Sequence, residues 1–162
     1  MSDPVWLVAH TRPRCEKKLV QLCERNGIAT ALPCYQSVRQ YRSKKVVFDK
    51  PLFPGYVFAK ASPTQSGTIR QSDYTAKILI VHDQELFLRQ LSGILQALET
   101  GLEIQLVPEI GQGTRVKIKN GPLAGIEGWV EARHGMITVL LRLDFIGQAA
   151  AVKFKATDLE LI

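Results

Sequence analysis

Apolar and polar positions along this 162-residue chain follow two periods, and the changes of period mark its elements. Val5–His10 is an apolar run that includes Trp6, and it predicts a strand. Thr11-Arg12-Pro13 turns the chain. Cys15, Leu19, Leu22 and Cys23 then recur at i, i+4, i+7 and i+8, the spacing of one helical face. Asn26-Gly27 ends that helix, because glycine accepts the left-handed conformation after a last turn. Ile28–Leu32 predicts a short strand, and Cys34–Lys50 a polar β-hairpin with Arg42-Ser43-Lys44-Lys45 at its tip. Leu52–Lys60 predicts a strand broken early by Pro54-Gly55, and Thr64–Gln71 a short helix. Lys77–Val81 predicts another strand, whose four consecutive apolar residues suggest burial on both faces. Asp83 can cap a helix running to about Thr100, with Leu88, Leu91, Leu95 and Leu98 as its apolar stripe and Gly101 as its stop.

The pattern changes at Leu102–Gly113, which lacks a helical period and holds Pro108, Gly111 and Gly113. Beyond it come five short β-rich runs: Arg115–Lys119, Trp129–Ala132, Ile137–Leu143, Ala149–Phe154 and Leu159–Ile162. Turn-forming residues separate them, the pattern of a small closed barrel. The predicted class is α+β: an α/β sandwich over residues 1–101 with helices on an antiparallel sheet, a linker at 102–112, and a five-stranded barrel at 113–162.

Composition adds a charge asymmetry. The net charge is +6, and residues 1–100 carry all of it, with 14 Lys/Arg against 8 Asp/Glu; residues 101–162 carry 7 of each. The stretch from Arg12 to Lys60 alone holds 11 cations against 3 anions. Such a face is either a solvated surface or a site for a polyanion, and the uneven placement favours the second. No run of about 18 apolar residues predicts a membrane helix, and no signal peptide pattern opens the chain, which predicts a cytosolic protein. Cys15, Cys23 and Cys34 match no zinc spacing and read as buried small hydrophobes. His10, His82 and His134 are scattered, and no nucleophile–base set, phosphate loop or metal pair stands out, so neither enzyme nor cofactor is expected.

Two motifs carry more information. Gly113–Val130 alternates Val116 and Ile118 with Arg115, Lys117 and Lys119, then places Gly121-Pro122, Gly125 and Gly128 at bends. It resembles the KOW motif of SH3-like barrels. Pro51-Leu52-Phe53-Pro54-Gly55-Tyr56-Val57-Phe58 resembles the signature of the N-terminal (NGN) domain of the NusG/Spt5 family of transcription factors, as does the opening Trp6-Leu7-Val8-Ala9-His10-Thr11 with its Glu16-Lys17-Lys18 helix. The resemblance covers nearly the whole chain in the family's order.

That resemblance implies a regulator of transcription elongation or antitermination. It would bind the RNA polymerase clamp through an apolar pocket including His10, Phe53, Tyr56 and Phe58. From the residues alone the three rings of Phe53, Tyr56 and Phe58 are equally core aromatics or interface anchors. Likeness to RfaH-type members implies that Arg12, Arg25 and Asn26 face non-template DNA, although a solvated helix end is the plainer reading. Arg39, Arg42, Lys44 and Lys45 suit a nonspecific contact with upstream duplex DNA. On the barrel, Leu123, Ile126, Phe145 and Ile146 occupy loops that relatives use to bind Rho or a small-subunit ribosomal protein. The altered Tyr74–Lys77 loop and the aliphatic barrel tips suggest a specialised, RfaH-like paralogue acting as a monomer. The competing reading is a KOW-containing rRNA-binding ribosomal or assembly protein, which the neutral second half disfavours. The strand formers Val116, Ile118, Val130, Ile137, Thr138, Val139 and Val152 predict a β rather than a helical C-terminal module.

Overall fold

A computed structural model describes residues 3–100, 104–108, 114–133, 136–146, 148–154 and 159–161. The chain divides into two compact units, Met1–Gln84 and Glu85–Ile162. No helix among the described residues is long and apolar enough to cross a membrane.

The first unit is built on a four-stranded antiparallel sheet in the order β2-β5-β1-β6, from β1 (Val5–Thr11), β2 (Ala29–Ala31), β5 (Tyr56–Ala61) and β6 (Thr75–Ile80). Strand residues alternate between faces, and on one face Leu7, Ala9, Val57, Ala59 and Ala61 are buried against Leu19 and Cys23 of α1 (Glu16–Arg25) and Ile69 of α2 (Pro63–Arg70). Gly27 has φ +68°, as a residue just past a helix end requires. Helix α2 starts in a capping box: the Gln65 N–H donates to Ser62 Oγ at 3.3 Å, and the Ser62 N–H donates to Gln65 Oε1 at 2.9 Å. The Gln84 side chain ties the start of α3 (Gln84–Glu99) to β1, accepting from the Trp6 N–H and donating to the Trp6 carbonyl, both at 2.8 Å.

Two expectations change here. The strand expected from Leu52 begins only at Tyr56, because Phe53-Pro54-Gly55 is spent on a turn, with the Tyr56 N–H reaching the Phe53 carbonyl at 3.2 Å. Strand β6 was expected to be buried on both faces, yet it is a sheet edge and Ile80 is 65% exposed. Four apolar residues in a row thus mark an edge strand here; the central places belong to β1 and β5.

From the same unit projects a two-stranded ribbon, β3 (Cys34–Tyr41) paired with β4 (Lys44–Pro51) in unbroken register from Cys34↔Pro51 to Tyr41↔Lys44. Arg42 turns its tip at φ +51°. At its root the Lys17 ammonium of α1 donates to the Asp49 carbonyl.

In the second unit, a six-stranded antiparallel sheet runs β12-β8-β9-β10-β11-β7, from β7 (Ile104–Pro108), β8 (Thr114–Ile118), β9 (Glu127–Arg133), β10 (Met136–Leu143), β11 (Gln148–Phe154) and β12 (Leu159–Leu161). Strand β7 lies inside the stretch read as a linker. Ile104–Pro108 pairs antiparallel with Val152–Gln148. Its sixth strand was hidden because the prolines and glycines that follow it dominate the local composition. Val116 and Ile118 are buried and Arg115 and Lys119 exposed, in the predicted alternation. The turn between β8 and β9 closes with the Gly125 N–H donating to the Ile118 carbonyl at 2.8 Å, Gly125 having φ +92°. On α3 the buried positions are Phe87, Leu91, Ile94 and Ala97, whereas Leu88 is exposed. The all-leucine stripe was offset because Phe87 and Ile94 outweigh it in the same helical period.

Candidate functional site

Around the Pro54-Gly55 turn, three segments of the first unit converge. Gly55 has φ +88°, a conformation a Cβ opposes, and a Cβ there would lie 3.5 Å from His10 Cδ2. The Thr11 N–H donates to the Gly55 carbonyl at 2.8 Å, and the Gly55 N–H reaches Glu16 Oε2 at 3.4 Å. The turn is therefore gripped by the end of β1 and by the first residue of α1. His10 and Tyr56 pair across the sheet, and their rings stack with centroids 5.2 Å apart and planes 25° from parallel. Both are half-buried, on the sheet face opposite Leu7 and Ala9, with Lys77 as the other cross-strand neighbour of His10.

The sequence-predicted pocket residues thus separate. His10 and Tyr56 form an accessible aromatic pair. Phe53 and Phe58 are 1% and 0% exposed and meet edge to face at 6.2 Å, so they are core residues. Neither ring has appreciable accessible surface, unlike His10 and Tyr56. Glu16 was missed as a site residue. Its signal was faint, an acid at a helix N-terminus, where the helix dipole alone explains it.

The predicted DNA contacts are partly gathered. Arg25 lies in the last turn of α1 and lines a groove of about 360 Å³ with Thr68, Gln71, Ser72, Asp73 and Tyr74. Arg12 is exposed, and its backbone N–H donates to the carbonyl of Tyr74, one of the residues lining that groove, at 2.9 Å. Asn26 sits beside them, but its amide donates to the Leu22 carbonyl at 2.7 Å and is engaged in closing the helix. Burial pushes the Cys23 thiol from 9.0 to about 11, with the Glu24 carboxylate adding to the effect. Burial also raises Cys34; Lys17 opposes that rise, while Asp49 and Glu16 reinforce it. No group of three or more His, Cys, Asp or Glu positioned for a metal occurs among the described residues.

Of the predicted partner residues in the second unit, Leu123 is buried. Ile126 is half-buried, and a Cβ at Gly93 of α3 would lie 3.5 Å from its Cγ2. Phe145 meets Phe87 of α3 edge to face at 6.2 Å, and Ile146 is half-buried. Next to them Gln90 and Asp144 exchange two hydrogen bonds of 2.9 Å. The Arg115 guanidinium lies 5.6 Å from the Trp129 ring centroid and 3.2 Å from Glu127 Oε2.

Comparison with known proteins fits this architecture. The solved structure titled "Domain interaction in Thermotoga maritima NusG" is 20% identical, with 98% of this chain and 97% of that chain covered and a TM-score of 0.50, a likeness of fold. Two conformations of an MjSpt4:Spt5 complex, B and A, each 15% identical, cover 98% of this chain and 97% and 98% of theirs, with TM-scores of 0.33 and 0.30. No curated protein sequence matches. The family model described as "NusG: Transcription termination factor nusG" matches residues 4–109, which include β1, the hairpin, the Pro54-Gly55 turn and all three helices, and the chain therefore belongs to the NusG family of transcription factors.

Proposed function

We propose that this protein regulates transcription elongation or antitermination by binding, without catalysis. A module of residues 1–101 grips the RNA polymerase clamp, and residues 113–162, closed as an SH3-like KOW barrel, recruit a second partner. The carrying observation is the stacked His10–Tyr56 pair, held on a rigid turn within the family-matched span. Rings fixed in place before binding lose little entropy on contact and make good anchors.

The exposed Arg12 and Arg25, the latter lining a groove, suit phosphates of the non-template or upstream DNA, with Asn26 next to Arg25. On the second module Ile126, Phe145 and Ile146 offer an apolar contact of the size that Rho or a small-subunit ribosomal protein would use. The altered Tyr74–Lys77 segment, which lies at that groove, supports a specialised RfaH-like paralogue acting as a monomer in the cytosol.

The test is binding of the full chain to core polymerase. The double substitution His10→Ala/Tyr56→Ala should cost about 2 kcal/mol or more of affinity while circular dichroism and melting temperature hold. Undiminished affinity in that folded variant removes the clamp site. Replacing Arg12 and Arg25 should weaken binding to an elongation complex more than to free core enzyme; equal losses would assign them to a protein contact.

A further inference from the structure

The β3–β4 hairpin has two unlike faces. Residues paired directly across an antiparallel ladder lie on the same face, and alternate residues lie on opposite faces. The register therefore sorts the ribbon. One face carries Cys34, Gln36, Val38 and Gln40 with Lys45, Val47, Asp49 and Pro51; its single cation and single anion cancel. The other carries Tyr35, Ser37, Arg39 and Tyr41 with Lys44, Val46, Phe48 and Lys50: three rings, three cations and no anion. Tyr35 stands directly opposite Lys50, and Tyr41 opposite Lys44. Tyr35, Tyr41 and Phe48 are 38%, 52% and 40% exposed.

Large exposed rings on a marginal two-stranded ribbon are costly to keep in water. Interleaved with cations on a face without acids, they match a ligand with flat apolar surfaces and a repeating negative charge. Unpaired nucleic acid is such a ligand. Duplex DNA is a poor fit, because its base faces are already stacked on one another and only their edges reach a ribbon. Successive same-face positions lie about 7 Å apart along a strand, a step that an unstacked nucleotide spans. Three hydroxyls, from Tyr35, Ser37 and Tyr41, stand among the rings on this face, and each can pair with a ribose 2′-OH.

We propose that the hairpin face bearing Tyr35, Arg39, Tyr41, Lys44, Phe48 and Lys50 binds unpaired RNA, its rings stacking on bases and its cations holding phosphates. This extends the hairpin's role beyond a nonspecific charge contact, and it assigns Lys44 and Lys45, neighbours in sequence, to different surfaces.

The full chain is titrated into a labelled mixed-sequence RNA of about twelve nucleotides and followed by fluorescence anisotropy. Tyr41→Ala and Phe48→Ala should each weaken binding by about tenfold or more, and a strand of the same length without bases should bind at least about tenfold more weakly. Lys44→Ala should lose several-fold and flatten the salt dependence, whereas Lys45→Ala, with the same charge removed from the other face, stays within about twofold. DNA of the same sequence, single-stranded or duplex, should bind more weakly than RNA. If an alanine variant loosens the hairpin by circular dichroism, Tyr35→Phe/Tyr41→Phe decides instead: it should keep tight binding but narrow the preference for RNA over DNA. Equal losses at Lys44 and Lys45, or full affinity for the base-free strand, would overturn the stacking site. DNA binding as tight as RNA binding would overturn the assignment to RNA.

Discussion

Two clusters of rings lie close together in the sequence, and the fold treats them oppositely. In the Pro51–Phe58 corner, Phe53 and Phe58 are sealed in the core and only Tyr56 reaches the surface. In the Cys34–Pro51 hairpin, Tyr35, Tyr41 and Phe48 all stay in water. The difference follows from what lies behind each. The corner belongs to a strand in the middle of a sheet, so its rings have neighbours to fill. The hairpin pairs only with itself among the described residues, so its rings fall on an open face. Ring density in a sequence therefore does not identify a surface; the company of cations at alternate positions does.

The sharpest way to break this comparison is to delete one ring from each cluster. Phe58→Ala should cost about 3–5 kcal/mol of folding free energy, measured by urea denaturation, because it leaves a cavity under the turn. A loss below about 1 kcal/mol would show that the corner is loosely packed. Gly55→Ala should cost about 1–2 kcal/mol, since a Cβ opposes the positive φ, while at 3.5 Å from the His10 ring it makes only van der Waals contact. It should weaken polymerase binding as well; a loss of stability without a loss of binding would separate the turn from the site.

The cysteines sharpen the same contrast chemically. Cys23 lies in the core and titrates at about 11, above its ordinary 9.0, so the folded state holds its proton where the unfolded chain releases it. That contribution to stability is complete below about pH 9 and is lost as pH rises through about 11. A serine replacement should remove this part of the alkaline decline. At neutral pH an alkylating reagent should modify Cys34, at the hairpin root, well before Cys23. Equal rates would mean that the core opens as readily as the hairpin. The smallest effect belongs to Phe48→Ala, which should change stability by no more than about 0.5 kcal/mol. A larger loss would make that ring part of the structure and take it out of the proposed RNA surface.

Much of this was legible beforehand where local chemistry decides it. The i, i+4, i+7, i+8 spacing located α1, and the polar stretch Cys34–Lys50 gave the hairpin, although Lys44 and Lys45, expected at its tip, lie in β4 and leave the turn to Arg42-Ser43. What stayed hidden depended on distant packing. Nothing local says that Ile78-Leu79-Ile80 lies at an edge, or that Phe58 is sealed while Tyr56, two residues away on the same face of β5, keeps accessible surface. Strand β7 escaped because its pairing partner, β11, lies forty residues further on. The two-faced hairpin was a different omission. Its cations read as one basic run until position parity assigned Arg39 and Lys44 to one face and Lys45 to the other.

The edge strand β6 bears on how this chain survives at high concentration. Thr75–Ile80 offers a row of backbone donors and acceptors beside three aliphatic residues, and Ile80 is mostly bare. Short segments of that kind template the growth of cross-β fibrils. Lys77 interrupts this one. Two copies brought edge to edge about that residue would bury two ammonium groups close together, a repulsion that no aliphatic contact nearby offsets. A single charge in the middle of the strand thus acts as a guard, making this exposed edge a poor partner for itself.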